Sequence, residues 1–380
     1  MSDGDLTLVA SAAELERSLA ELGREPLLAV DTEAASFHRY HDRVYLVQLS
    51  SRSRTIIVDP LVAGDLARLR GILADPAVEV VFHDADYDLR LLDQQYGFHA
   101  TRLFDTRIAA QLLNEPGIGL AALLEKYLSV SLDKRFQRAD WSIRPLSPDM
   151  LRYAADDTRH LPALRDMLKD RLIALGRLAW AEEEFAQLEQ VRWGPNDGEG
   201  PGYLKVKGAR TLRGRSLAAL RELYQWRDEA AARSDRAAFR ILNAEPLLEI
   251  AKTLPTDTAG LRAIRGVGAD LVERRGREVL AAVRRALDLP EQEVPRIERG
   301  PRRAPDPAFD ARVEQLKAKR NELALRLDLA PGVLCPNATL EAIARALPRT
   351  LDELRAIPGL RRWQADAVGA DLLAAISGRV

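Results

Sequence analysis

Five side chains in this sequence have the types and spacing of a reaction centre: Asp31 and Glu33, then Asp88, then Tyr153 and Asp157. The first two end an apolar, β-type run, Leu27-Leu28-Ala29-Val30-Asp31-Thr32-Glu33. Side chains two apart in an extended strand share a face, so these two acids stand side by side and repel. A folded protein keeps such a pair either solvated or bridged by a cation. Ser147 and Pro148 are placed as the N-cap and first residue of a helix on which Tyr153 and Asp157 share one face. Carboxylates are hard oxygen ligands of the kind Mg²⁺ or Mn²⁺ prefers. Two such ions can clamp both the attacking and leaving oxygens of a phosphodiester displacement. Cys335 is the only cysteine, which excludes an intrachain disulfide and a thiolate-built metal site. A Walker-type glycine loop is absent as well.

The elements that must position these groups alternate in type. Residues 6–10 read as a strand, and Ser11 caps a helix to about Leu22, with Glu14 completing a capping box. The 27–33 strand follows, then a hairpin of 44–49 and 55–59, a helix at 66–73 and a buried strand at 77–82. That strand runs into the helix bearing Asp88; further helices are expected at 105–113 and 120–128, and one continuous helix from Pro148 to about Leu175. Such alternation predicts an α/β domain around a mixed sheet flanked by helices.

Beyond Gly194–Gly202, a turn or linker by composition, the pattern is helical and doubled at an offset of 93 residues. Leu247, Ile250, Ala251, Leu254 and Pro255 recur as Leu340, Ile343, Ala344, Leu347 and Pro348; Gly266 and Gly276 recur as Gly359 and Gly369. Two all-α bundles are therefore expected, joined by the proline- and charge-rich stretch 290–307. The division is 1–194, 208–290 and 306–380. Residues 1–194 hold 23 Lys and Arg against 31 Asp and Glu; residues 195–380 hold 33 against 26. The acidic part is suited to cations and the basic part to a polyanion. Arg262, Arg265, Arg274, Arg275 and Arg277 surround a Gly266-Val267-Gly268 turn that could grip phosphates without reading bases. No apolar stretch reaches membrane-spanning length and the first residues lack a signal-peptide core, so a cytoplasmic protein is expected. No dimer seam is evident, which suggests a monomer.

The pattern Asp31-x-Glu33, Asp88, Tyr153-x₃-Asp157 resembles the DEDDy group of DnaQ-like 3′→5′ exonucleases. Trp141-Ser142-x-Arg144-Pro145-Leu146-Ser147, leading into Tyr153-Ala154-Ala155-Asp156-Asp157, is similar to the ribonuclease D family, and the doubled module resembles the HRDC domain. The resemblance covers nearly the whole chain. It implies an RNase H-like fold and hydrolysis of structured RNA, tRNA precursors among them, from a free 3′ end to nucleoside monophosphates. Carried over by position, Asp31, Glu33 and Asp157 would hold one metal, with Asp31 shared by a second. Asp88 would reach the second ion through waters, and Tyr153 would position the attacking water. Gln48, His83, Trp141 and Arg144 are candidate substrate contacts, and Phe37 is read the same way. For His83 a structural role and for Trp141 and Arg144 a loop-docking role compete with that reading. Asp84, Asp86 and Asp156 are expected to be solvated or supporting acids, and Asp105 a helix N-cap. The alternatives are a DNA exonuclease with the same site and a nucleic-acid-binding scaffold that kept its acids by descent.

Overall fold

The computed structural model describes residues 6–194, 201–297 and 306–377. Most of the glycine-rich linker and the middle of the proline-rich hinge therefore lie outside the described residues. The N-terminal part contains strands β1 (Leu6–Val9), β2 (Leu27–Glu33), β3 (Leu46–Ser50), β4 (Thr55–Val58), β5 (Glu79–Phe82) and β6 (Leu103–Asp105). Its helices are α1 (Ala12–Leu22), α2 (Pro60–Ala63), α3 (Ala67–Leu73), α4 (Asp86–Tyr96), α5 (Thr106–Leu112), α6 (Leu120–Leu128), α7 (Pro148–Arg159), α8 (Leu161–Ala174) and α9 (Leu178–Leu188). The strands form one mixed sheet in the order β1-β4-β3-β2-β5-β6. Only β3 runs against its neighbours; the other pairs are parallel. Parallel strands buried on both faces read as continuous apolar runs, and β4 and β5 are buried at every position. β2 is buried through Val30 and then opens at Asp31 and Glu33.

The local signals mostly act as expected. Ser11 accepts from the Glu14 amide, although the Glu14 carboxylate reaches back to the Ala10 amide and not to Ser11. Ser147 accepts from the Met150 amide with Pro148 in the first turn of α7. Two expectations need correction. The helix from Pro148 breaks at His160, because Pro162 has no N–H to continue the ladder onto Thr158. Residues 103 and 104, unassigned from sequence, form the sixth strand with Asp105, too short to show any periodicity, and the helix expected from Asp105 begins at Thr106 with Asp105 as its N-cap.

The first helical module comprises α10 (Gly214–Ser234), α11 (Ala238–Ile241), α12 (Ala244–Thr253), α13 (Thr258–Arg262) and α14 (Ala269–Asp288). The second comprises α15 (Pro307–Arg326), α16 (Pro331–Leu334), α17 (Asn337–Ala346), α18 (Leu351–Arg355) and α19 (Arg362–Ser377). The 93-residue repeat is reproduced in the backbone. Left-handed residues recur in register: Asp235 and Asp328, Leu254 and Leu347, Gly266 and Gly359. The modules differ in how they join the sheet domain. The first keeps a core of its own, whereas the core of the second runs without interruption into that of the sheet domain. Trp180 of α9 stacks on Trp363 of α19 at 4.7 Å. Glu183 accepts from the Arg362 and Trp363 amides at 2.7 and 2.9 Å, capping α19 from outside its own module.

Candidate active site

The reaction centre forms where β2 leaves the interior. α7 packs across β2, β3 and β4, and α8 across β2 and β5. Ser50 on β3 meets Thr158 on α7 at 2.7 Å, which sets the helix on the sheet one residue from Asp157. One oxygen from each of Asp31, Glu33 and Asp157 then lies within 4.8 Å of the others. Two segments separated by more than a hundred residues are thus brought together, as the resemblance implied. The set borders an open cavity of about 500 Å³, also lined by His83, Asp88 and Tyr153.

Asp88 sits in the same cavity but outside the three-oxygen set. Its Oδ1 accepts from the Thr32 amide at 3.1 Å and from the Thr32 hydroxyl at 2.5 Å. Asp105 fixes the turn before it: besides capping α5, it accepts from the Ala85 amide at 2.7 Å. Replacing the Thr32 hydroxyl by a methyl in Thr32→Val is expected to weaken divalent-metal binding roughly 10–100-fold, the usual effect of removing a group that orients a ligand. Titration calorimetry with Mn²⁺ checks this, and wild-type affinity would reduce Thr32 to packing.

Electrostatics mark these groups as a set. Burial, followed by the charges of Asp88, Asp157 and Glu33, raises the Asp31 carboxyl well above the usual carboxylate range. Burial and then Asp157 and Asp88 do the same to Glu33. Burial pushes Asp88 to about 7, against the opposing bonds from Thr32, and burial with Asp156 and Asp88 pushes Asp157 to about 7. Like charges this close are costly without a counter-charge. All the donors are carboxylate oxygens, so the residues present fit a hard divalent cation. The Tyr153 hydroxyl is also raised, by burial and then by Asp157, Glu33 and Asp31, which favours the neutral phenol.

The candidate substrate contacts divide. His83 lines the cavity; its Nδ1 lies 2.9 Å from the Thr106 hydroxyl, and burial lowers its pKa to about 4, leaving it uncharged. Gln48 stands opposite Asp31 across the β2–β3 ladder, is wholly buried and does not line the cavity. Neither of its amide atoms has a hydrogen-bond partner. Trp141 is also buried, with its ring 6.0 Å from that of Tyr153. Arg144 is committed to the loop, bonding Asp59 at 2.5 Å and the carbonyls of Trp141 and Tyr45 at 2.7 and 3.0 Å. Gln48, Trp141 and Arg144 thus do not line the cavity. Asp84 pairs with Arg107, Asp86 with Arg90 and Asp156 with Arg159. The sequence reading missed Tyr87, Lys134 and Gln137, all on the cavity wall. The last two lie in an irregular loop, where no periodicity could have indicated them.

Residues 6–173 match the family model described as a 3′-5′ exonuclease, and residues 216–283 and 309–376 each match the HRDC domain. Ribonuclease D of Granulibacter bethesdensis is 33% identical over 98% of this chain and 93% of its own length. Among solved structures, the catalytic core of RRP6 from Trypanosoma brucei is 31% identical, with a TM-score of 0.68 over 76% of this chain and 81% of that one. Escherichia coli RNase D shares the fold over 98% of both chains, with a TM-score of 0.72 at 24% identity. The acid cluster, the sheet that carries it and the doubled helical module thus coincide with full-length similarity, and the chain belongs to the ribonuclease D family.

Proposed function

We propose that this chain is a 3′→5′ exoribonuclease that trims structured RNA, precursors of tRNA in particular, releasing nucleoside monophosphates. The observation that carries this reading is the meeting of three carboxylate oxygens within 4.8 Å beside Tyr153 in one open cavity. Asp31, Glu33 and Asp157 are the residues that would hold a first Mg²⁺ or Mn²⁺. Asp31 and Asp88 would serve a second. A divalent cation held there supplies positive charge for the phosphate oxygens and lowers the pKa of a bound water.

The chain's own groups do the rest. Tyr153, a neutral phenol, orients the attacking water by hydrogen bonding. Neutral His83 offers the substrate a hydrogen-bonding edge without charge. Lys134 on the cavity wall and the arginines around Gly266-Val267-Gly268 contribute positive charge for phosphates, so binding should fall steeply with salt. The protein works as a monomer in the cytoplasm.

The test is digestion of a 3′-extended tRNA with and without EDTA, reading product size. Mononucleotides released only in the presence of the metal are expected; oligonucleotide products, or digestion that ignores EDTA, would overturn the reading. Matched RNA and DNA oligomers run alongside separate a ribonuclease from a DNA exonuclease with the same site.

A further inference from the structure

The first helical module does not reach the reaction centre itself, but it grips the loop that leaves the catalytic strand. Residues 36–43 lie in that loop, separated from Glu33 by two residues. Asp235, in the left-handed turn that ends α10, accepts from the Tyr40 and His41 amides at 3.2 and 3.3 Å. The Tyr40 hydroxyl donates to Asp228 at 2.9 Å. Arg240 donates to the Phe37 carbonyl at 2.6 Å, the Ala237 amide to the His38 carbonyl at 3.2 Å, and Phe239 meets Phe37 edge-on at 6.5 Å.

This held loop in turn holds a second. His38 Nε2 lies 2.9 Å from the Arg138 carbonyl and Arg39 donates to the Ser142 hydroxyl at 2.8 Å. The Arg138 guanidinium lies over the Phe37 ring at 5.3 Å. The loop gripped in this way contains Lys134 and Gln137, which line the cavity. It also supplies Phe136 and Trp141, whose rings lie 5.9 and 6.0 Å from that of Tyr153. An unbroken series of contacts therefore runs from Asp235 through residues 37–41 and 136–142 to the hydroxyl-bearing ring.

The repeat sharpens the point. Asp328, the counterpart of Asp235 in the second module, has the same left-handed backbone and also faces the sheet domain, accepting from the Asn114 amide group at 2.8 Å. Both modules dock through the same residue, but only the first docks on the loop that leaves the catalytic strand. We infer that the first helical module is part of the active site in the mechanical sense: Asp235 is a positioning residue that holds Tyr153 through these two loops, and it acts on substrates too short to touch the module. This rests on the exonuclease reading of the cavity.

The test uses the full chain and a 5′-phosphorylated RNA dinucleotide with Mn²⁺. Asp235→Gly keeps the left-handed turn available and deletes the acceptor; Asp235→Asn keeps the acceptor oxygen. Displacing a reacting group by about 1 Å costs up to roughly 10²-fold, so Asp235→Gly is expected to lower kcat on the dinucleotide about ten- to a hundredfold with KM unchanged. Asp235→Asn is expected to restore most of that loss. Tyr40→Phe, a milder variant that loses only the bond to Asp228, is expected to show a smaller loss of the same kind. Hydrogen exchange, read without substrate, should accelerate in Asp235→Gly at residues 36–43 and 133–142 and nowhere else in the sheet domain. Wild-type kcat in Asp235→Gly, or unchanged exchange at 133–142, overturns the inference. If the unaltered chain releases no nucleotide from any RNA, the exonuclease reading falls, while the exchange result still decides whether the loops are coupled.

Discussion

Asp31→Asn is expected to abolish nucleotide release and, in the same molecule, to make the metal-free protein more stable at neutral pH. The loss follows from geometry, because Asp31 belongs to the three-oxygen set and is the one acid shared between both proposed metal positions. An amide of the same shape keeps the packing but brings no charge. Metal assistance is worth several kcal/mol of transition-state stabilisation, and each 1.36 kcal/mol is tenfold, so a drop of at least about 10³-fold is expected. The gain in stability follows from linkage. Asp31, Glu33, Asp88 and Asp157 all have folded-state pKa values above their ordinary ones, so between the unfolded values near 4 and the folded values the native state binds more protons than the unfolded state. Stability then falls as pH rises through that window, to about 7 for Asp88 and Asp157. In EDTA, thermal melting of the wild type should drop between pH 5 and pH 7.5, and Asp31→Asn should drop less. Added Mn²⁺ should raise the wild-type melting temperature at pH 7.5 and the variant's much less. A variant that melts below wild type at pH 7.5 in EDTA would mean that the Asp31 charge supports the fold, contrary to the repulsion described above.

What could be read in advance and what could not divides along physical lines. Asp31, Glu33, Tyr153 and Asp157 were legible because strand and helix periods place them on common faces whatever the rest of the fold does. The repeat was legible because two copies of one core must bury the same positions. Gln48 was not: alternation along β3 says that it shares a face with its second neighbours, but not that α7 closes over that face. Thr32 was invisible for a similar reason. A threonine between two acids reads as filler until α4 brings Asp88 against it. The break at His160 was hidden by an apolar pattern that continues through Pro162, and β6 by its length. Least legible of all were the docking contacts, Tyr40 with Asp228 or Trp180 with Trp363. They join segments nearly two hundred residues apart and follow from no local pattern.

Tyr153→Phe should isolate the hydroxyl from everything else Tyr153 does. The ring is seated by Trp141 and Phe136 and needs no help from its oxygen to stay in place. Phenylalanine therefore keeps the packing, and neither the fold nor the carboxylate set should move. Burial and the acidic neighbours raise the hydroxyl's pKa and so favour the neutral phenol, and what the variant loses is a hydrogen bond that orients water. A positioned proton-handling group contributes roughly 10²–10⁴-fold, and the loss should fall on kcat with KM nearly unchanged, because the group acts on the transition state and not on ground-state binding. Mn²⁺ affinity by calorimetry should match wild type, which distinguishes this variant from Asp31→Asn and Thr32→Val. A wild-type kcat would leave Tyr153 as a packing residue and the water to be oriented by the carboxylates alone. A loss of metal affinity would instead place the hydroxyl among the groups that shape the acid cluster.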